Sequence, residues 1–201
     1  MIAVIDSGVA NLASVMEALQ RLNADAVVTS DAAVIRAASH VILPGVGAAS
    51  AAMVQLEKKK LTDVIRGLTQ PVLGICLGMQ LLFDGSEEGR TDGSLLPCLG
   101  VIPGAVRRMV GTPDMPVPHM GWNQITLLRP DHPLLKGIEQ ESFVYFVHSY
   151  AAPVSDLTLA SSDYNGAFTA VAGYKNYLGC QFHPERSSAV GSRILQNFLG
   201  I

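Results

Sequence analysis

Charge is scarce in this chain: 15% of its 201 residues are Asp, Glu, Lys or Arg, and their formal balance is -3. Holding a nucleic-acid backbone takes clustered Lys and Arg, and no basic stripe is present, so that class of partner is excluded. The one run, Lys58, Lys59 and Lys60, reads as a solvated helix face. Long apolar runs are missing too. Stretches such as FVYFV at 143–147 are strand-sized and far short of the roughly 18 residues a membrane span needs. The N-terminal MIAVID has neither the basic segment nor the apolar core of a secretory signal, which predicts a cytoplasmic protein. Cysteine is sparse: Cys76, Cys98 and Cys180 are odd in number and widely spaced, which argues against a disulfide framework and for a reducing compartment. Cys98 and Cys180 sit among apolar neighbours and are expected to pack.

What is present is a hydrophobic share of 49%, with no stretch biased enough to read as disordered, so residues 1–201 are expected to form one domain. The first half alternates strand and helix patterns. IAVID, AVVTS and HVILPG read as strands, and ANLASVMEALQRL and DAAVIRAA as helices, with Leu12, Val15, Met16, Leu19 and Leu22 on one helical face. Continuous Val/Ile strands of this kind are covered on both sides, so the expected fold is α/β, three layers with a largely parallel central sheet. A helix over 48–68 leads into PVLGIC as strand and LGMQLLFD as helix. Six short strands (101–110, 123–128, 142–150, 157–161, 167–173 and 177–183) predict an antiparallel extension. SSAVGSRILQNFLG reads as a last helix opening on Ser187 or Ser188 as cap.

GICLG, residues 74–78, is a G-x-C-x-G pattern at a strand-to-helix junction, the context of a nucleophile elbow. Glycines on both sides let the chain bend sharply and lift the Cys76 sulfur clear of the sheet, and the following helix turns its free N–H groups toward it, favouring thiolate. The same stretch alone is also compatible with a buried structural cysteine. A cysteine nucleophile needs a histidine, and the histidine an orienting acceptor. GCQFHPERSS offers both: His183 and Glu185, two residues apart on an extended segment, are expected to project to one side. His40 and His132 lack such a carboxylate and read as structural or solvated. Cys180 and His183 have C-x-x-H spacing but no second ligand pair, so no metal is expected. Oxyanion donors are expected from LPGVG at 43–47, whose glycines allow close backbone approach, and from the Leu77 N–H. GVGAAS lacks the third glycine of a dinucleotide loop, having Ser50 there.

LPGVG, GICLGMQLLF and HPE, in this order, resemble the class I, triad-type glutamine amidotransferases, and PHMGWN at 118–123 with FVHSY at 146–150 resembles one branch of them, the glutaminase subunits of imidazole glycerol phosphate synthase. The resemblance covers nearly the whole chain. It implies a flavodoxin-like fold and a single type 1 amidotransferase domain. Cys76 would be nucleophile, His183 general base and acid, and Glu185 the orienting carboxylate. Val46 and Gly47 would form the oxyanion strand, with the Val46 amide as donor after a local rearrangement. Gln80, Ser149 and Tyr150 would hold glutamine, and Asn11, Trp122, Asn123 and Arg186 would face a partner. Two departures stand outside the triad and bear on partner contacts: DSGVANL carries Ser7 and Ala10 where Tyr and Gly are usual, and Arg186 replaces a lysine after HPE.

The implied reaction is hydrolysis of L-glutamine to glutamate and ammonia through a thioester, with no cofactor. Ammonia in water near neutral pH becomes ammonium, so it must travel shielded; the resembling family delivers it to a (β/α)8-barrel cyclase that holds the phosphorylated ribulosyl substrate. The elbow fold is expected to use the whole chain, leaving no P-loop or second domain for the acceptor. Alternatives are the glutaminase subunit of another synthase (pyridoxal phosphate or anthranilate), a stand-alone cysteine hydrolase or peptidase, and a non-catalytic interaction protein, against which the intact Cys, His and Glu argue.

Overall fold

The computed structural model describes residues 1–8 and 10–201. Val9, inside the DSGVANL element, lies outside them. The first half winds as β1 (Ile2–Ile5), α1 (Leu12–Arg21), β2 (Ala26–Thr29), α2 (Ala32–Ala37), β3 (His40–Gly45), α3 (Ala49–Lys58), α4 (Thr62–Arg66), β4 (Val72–Cys76) and α5 (Leu77–Leu82). There follow β5 (Phe83–Ser86), β6 (Leu96–Pro97), β7 (Ile102–Arg108), β8 (His119–Leu127), β9 (Ser142–His148), β10 (Tyr150–Ala151), β11 (Thr158–Asp163), β12 (Ala167–Tyr174), β13 (Tyr177–Cys180) and α6 (Ser188–Phe198).

The main sheet runs β2-β1-β3-β4-β13-β12-β11-β8-β9. From β2 to β13 every pairing is parallel; from β13 outward each is antiparallel. Strand alternation sends neighbouring residues to opposite faces, and both faces are covered. Ile2, Val4, Ile42, Leu73 and Ile75 pack with Val15 and Leu19 of α1 and Ile194, Leu195 and Phe198 of α6. Ala3, Ile5, Val41, Leu43 and Val72 pack on the other side with Ile35, Leu56, Ile65 and Met79 from α2 to α5. This is the expected three-layer α/β/α arrangement. A smaller sheet, β10-β7-β5-β6, is an addition the strand patterns did not separate.

Several elements differ from the sequence reading: the strand expected over 142–150 is split at Ser149 into β9 and β10, which belong to different sheets, and the 101–110 strand, β7, pairs parallel with β5 in the smaller sheet. The helix expected over 48–68 is two helices: Lys60 adopts φ 56°, the Leu61 N–H donates to Leu56 O at 2.8 Å and the Lys60 N–H to Glu57 O at 2.9 Å, a Schellman stop. That stop turns Leu61 fully inward, which a continuous helix would not. The helix expected over LGMQLLFD ends at Leu82, because Phe83 is drawn into β5 beside β7. The strand expected at 123–128 begins at His119, so GWN lies within it.

Candidate active site

Cys76 ends β4 and precedes α5 with φ 53° and ψ -112°, a backbone combination that costs an L-residue energy and turns its side chain off the sheet line. The bend is that tight because α5 lies against β3: a Cβ on Gly78 would collide with the Leu43 carbonyl, and one on Gly74 would stand 2.7 Å from Met79 backbone atoms. Parallel pairing then brings the other parts in. Gly45 is level with Cys76 across β3 and β4, so Val46 and Gly47 emerge beside the sulfur. On the other side Cys180 is level with Ile75, so the chain leaving β13 delivers Gln181 and His183 to the same end of the sheet.

His183 is in extended conformation, but Glu185 belongs to a 3₁₀ turn, Pro184–Arg186, instead of a continuing strand. The expected i, i+2 strand geometry is therefore replaced by a turn, which still brings Glu185 Oε1 to 2.7 Å from His183 Nδ1. The Ser187 hydroxyl donates to His183 O at 2.7 Å and accepts the Tyr145 N–H at 2.9 Å. Ser187 thus clamps the histidine backbone to β9; it stands at the cap position of α6, as expected, but makes no side-chain capping bond there. Burial works against protonating His183, but the Cys76 sulfur and the Glu185 carboxylate outweigh it and raise its pKa to about 10. Its Nε2 atom is buried without a hydrogen-bond partner, on a ring that borders the same cavity as Cys76.

That cavity, about 290 Å³, is lined by Val46, Gly47, Cys76, Leu77, Gln80, Ser149, Tyr150 and His183, with Glu88, Pro118, Val147 and His148 completing the wall. The structure therefore gathers the expected nucleophile, base, oxyanion and pocket residues, while Glu185 backs His183 from behind. Cys76 Sγ faces Val147 O at 3.7 Å and receives the Gln181 side-chain N–H at 3.9 Å. Gln80 spends both amide hydrogens inside the protein, on Tyr150 O at 2.8 Å and Gln181 Oε1 at 3.0 Å. Only its oxygen is left for a ligand. The sequence reading missed Glu88 and Gln181. Glu88 brings a carboxylate to the cavity wall and accepts the Ala49 N–H at 2.6 Å; Gln181, two residues before His183 in GCQFHPE, is fully buried. A carboxylate twelve positions past an elbow carries no local signal, whereas a glutamine inside an apolar strand end is one.

The four residues expected to face a partner stand apart from the cavity lining. Asn11 caps α1, accepting the Ser14 N–H. Trp122 is 53% exposed, edge-on to Tyr145, with exposed Met120 and Phe143 nearby on the same face of the β8–β9 hairpin. Asn123 donates to Asp163 O at 2.9 Å, and Arg186 is exposed. Burial raises the Cys98 thiol pKa to about 11 and pushes that of Cys180 up further, so neither is a nucleophile at neutral pH. Among the described residues, no cluster of three His, Cys, Asp or Glu is arranged to hold a metal, and no helix is long and apolar enough to cross a membrane.

An elbow cysteine and an imidazole lining one cavity at the end of a doubly wound sheet make up a cysteine-nucleophile site. Residues 3–200 match the family model described as glutamine amidotransferase class-I, and the chain belongs to that family. It is 50% identical over 211 residues to the imidazole glycerol phosphate synthase subunit HisH of Shewanella oneidensis, covering 98% of this chain and 95% of the relative. To the HisH subunit of Xanthomonas euvesicatoria it is 52% identical over 198 residues, with 98% and 96% covered. In fold it is similar to a putative GMP synthase protein from Thermoplasma acidophilum, with TM-score 0.74 and 20% identity over 99% of this chain and 92% of that one. The glutaminase domain of a Trypanosoma brucei CTPS gives 0.68 at 15% identity, covering 99% and 93%.

Proposed function

We propose that this chain, as a single amidotransferase domain, is the glutaminase subunit of an imidazole glycerol phosphate synthase of histidine biosynthesis. The observation that carries the reading is the arrangement of Glu185 against His183, with His183 and Cys76 lining one cavity. Full-length relatedness to HisH subunits supports the branch.

His183 takes the Cys76 proton, and the thiolate attacks the side-chain carboxamide carbon of glutamine, its carbonyl electrons moving onto oxygen. Backbone N–H groups of Val46, Gly47 and Leu77 are the proposed donors to that oxyanion. Collapse breaks the C–N bond while His183 returns its proton to the leaving nitrogen, releasing ammonia and leaving a thioester. Water, deprotonated by His183, then cleaves the thioester to glutamate and the free thiol. Glu88 is the carboxylate placed to meet the α-ammonium group of glutamine; Gln80 and the Ser149–Tyr150 backbone form the surrounding wall.

The ammonia passes to a (β/α)8-barrel cyclase partner in a heterodimer, which uses it to make imidazole glycerol phosphate and AICAR from phosphoribulosyl-formimino-AICAR-phosphate. Trp122, with Asn11, Asn123 and Arg186, is assigned to that partner surface, and the working compartment is the cytoplasm. The test is Cys76→Ala in the reconstituted complex. Glutamine-dependent cyclisation is expected to vanish while cyclisation fed by free ammonia continues; retained glutamate release would overturn the assignment.

A further inference from the structure

The buried imidazoles of His119 and His148 take no part in the mechanism above, yet they are joined to it. On the β8–β9 hairpin they are direct cross-strand partners, His119 Nδ1 lying 3.0 Å from His148 Nε2. His148 Nδ1 lies 2.9 Å from Tyr150 O, the carbonyl that also receives the Gln80 amide. Gln80 continues to Gln181 Oε1, and the Gln181 N–H reaches the Cys76 sulfur. At the other end the Asn123 Nδ2 group lies 3.4 Å from His119 Nε2.

Every direction in this series is fixed by its ends. A carbonyl only accepts, so His148 Nδ1 carries hydrogen and its Nε2, in a neutral ring, is an acceptor. His119 Nδ1 must then donate, which leaves His119 Nε2 to accept from Asn123. Asn123 cannot be flipped, because its Oδ1 accepts the Gln124 N–H at 2.8 Å and its Nδ2 donates to Asp163 O. Burial holds both imidazoles down to about 4, so both are neutral at physiological pH. The His119 ring is also stacked on Tyr164, centroids 4.0 Å apart, which prevents it from turning away. Two donors converge on Tyr150 O, so the series cannot pass a proton along its length; what it can do is hold position.

We propose that His119 and His148 are positioning residues for glutamine hydrolysis: as neutral Nδ1–H tautomers they anchor the Tyr150 carbonyl, and through Gln80 and Gln181 aim an amide donor at the Cys76 sulfur. The kinetic arm of the test rests on the glutaminase reading; the spectroscopic arm does not. His119→Phe keeps the stack and removes the donor, whereas His119→Asn keeps a donor at the Nδ1 position and loses the stack. In the complex with the barrel subunit, His119→Phe should raise the KM for glutamine about five- to tenfold with kcat within about twofold, a lost buried hydrogen bond's worth. His119→Asn should restore it toward wild type. An unchanged KM in His119→Phe, or equal damage from both substitutions, overturns the proposal in favour of plain packing. On the unsubstituted protein, nitrogen-15 NMR should find both rings neutral at pH 6 and protonated on Nδ1, the minority tautomer of free histidine. An Nε2–H tautomer or a charged ring at either position overturns it regardless of activity. Absence of glutamate release by the wild-type complex would instead refute the glutaminase reading and leave the tautomer result to decide the anchoring role.

Discussion

Glu185 Oε1 stands 2.7 Å from His183 Nδ1, and the Glu185 side chain is only 2% exposed, so the imidazole faces its counter-charge without competition from water. An ion pair in that setting both orients the ring and binds a proton. Folding raises the His183 pKa from 6.5 to about 10. Its contribution to stability is therefore complete below about pH 6.5 and lost as pH rises toward 10. Glu185→Gln should lower the unfolding free energy by about 2 kcal/mol near pH 6, with the difference shrinking toward pH 10. Denaturant titrations across that range measure it. The same substitution should reduce glutamine turnover by on the order of 10³-fold, since it removes the group that holds tautomer and orientation.

Cys76 carries positive φ where a glycine would be at ease. Cys76→Gly and Cys76→Ala both remove the thiol, but only the glycine relieves the backbone. Cys76→Gly should be the more stable of the two inactive variants by about 1 kcal/mol. Chemical denaturation of the pair isolates that strain from the chemistry.

Gly78 has no room for a side chain, because β3 passes directly over it at the Leu43 carbonyl. A methyl group there cannot be absorbed by a rotamer change; backbone must move. Gly78→Ala should cost about 3 kcal/mol and displace α5 from β3. Thermal unfolding and glutamate release should fall together. Full stability in that variant would contradict the close approach.

Thiol reactivity should be selective. Burial raises the pKa values of Cys98 and Cys180, while Cys76 alone of the three borders the cavity. Limited alkylation of the native protein at neutral pH, read by peptide mass spectrometry, should label Cys76 and spare the others until the chain unfolds.

Trp122 is exposed although it is the only tryptophan. Trp122→Ala should change stability by less than about 1 kcal/mol. On the proposed assignment it should also weaken binding to the cyclase partner by about 2 kcal/mol, roughly 30-fold in Kd, as expected of an aromatic anchor. Calorimetric titration of the two subunits tests both the residue and the assigned surface.

Local chemistry is legible in the sequence. Alternating Val/Ile strands and amphipathic helices marked the α/β half, the GICLG bend announced itself by its flanking glycines, and HPE supplied a histidine with a carboxylate near at hand. These are short-range properties, decided by rotation about a few bonds and by which faces must leave water. The stop at Lys60 was less visible because a lysine at positive φ has no compositional mark; burying Leu61 made that turn worthwhile.

Residue identity and local pattern thus determined that a bent cysteine and a supported imidazole exist in this chain. Only the tertiary structure decided that they meet, through the parallel register that sets β13 beside β4, and that Glu88, Gln181, His119 and His148 join them. The reason is physical: hydrogen-bond direction and charge burial depend on partners from distant segments, and no window along the chain contains both members of such a pair.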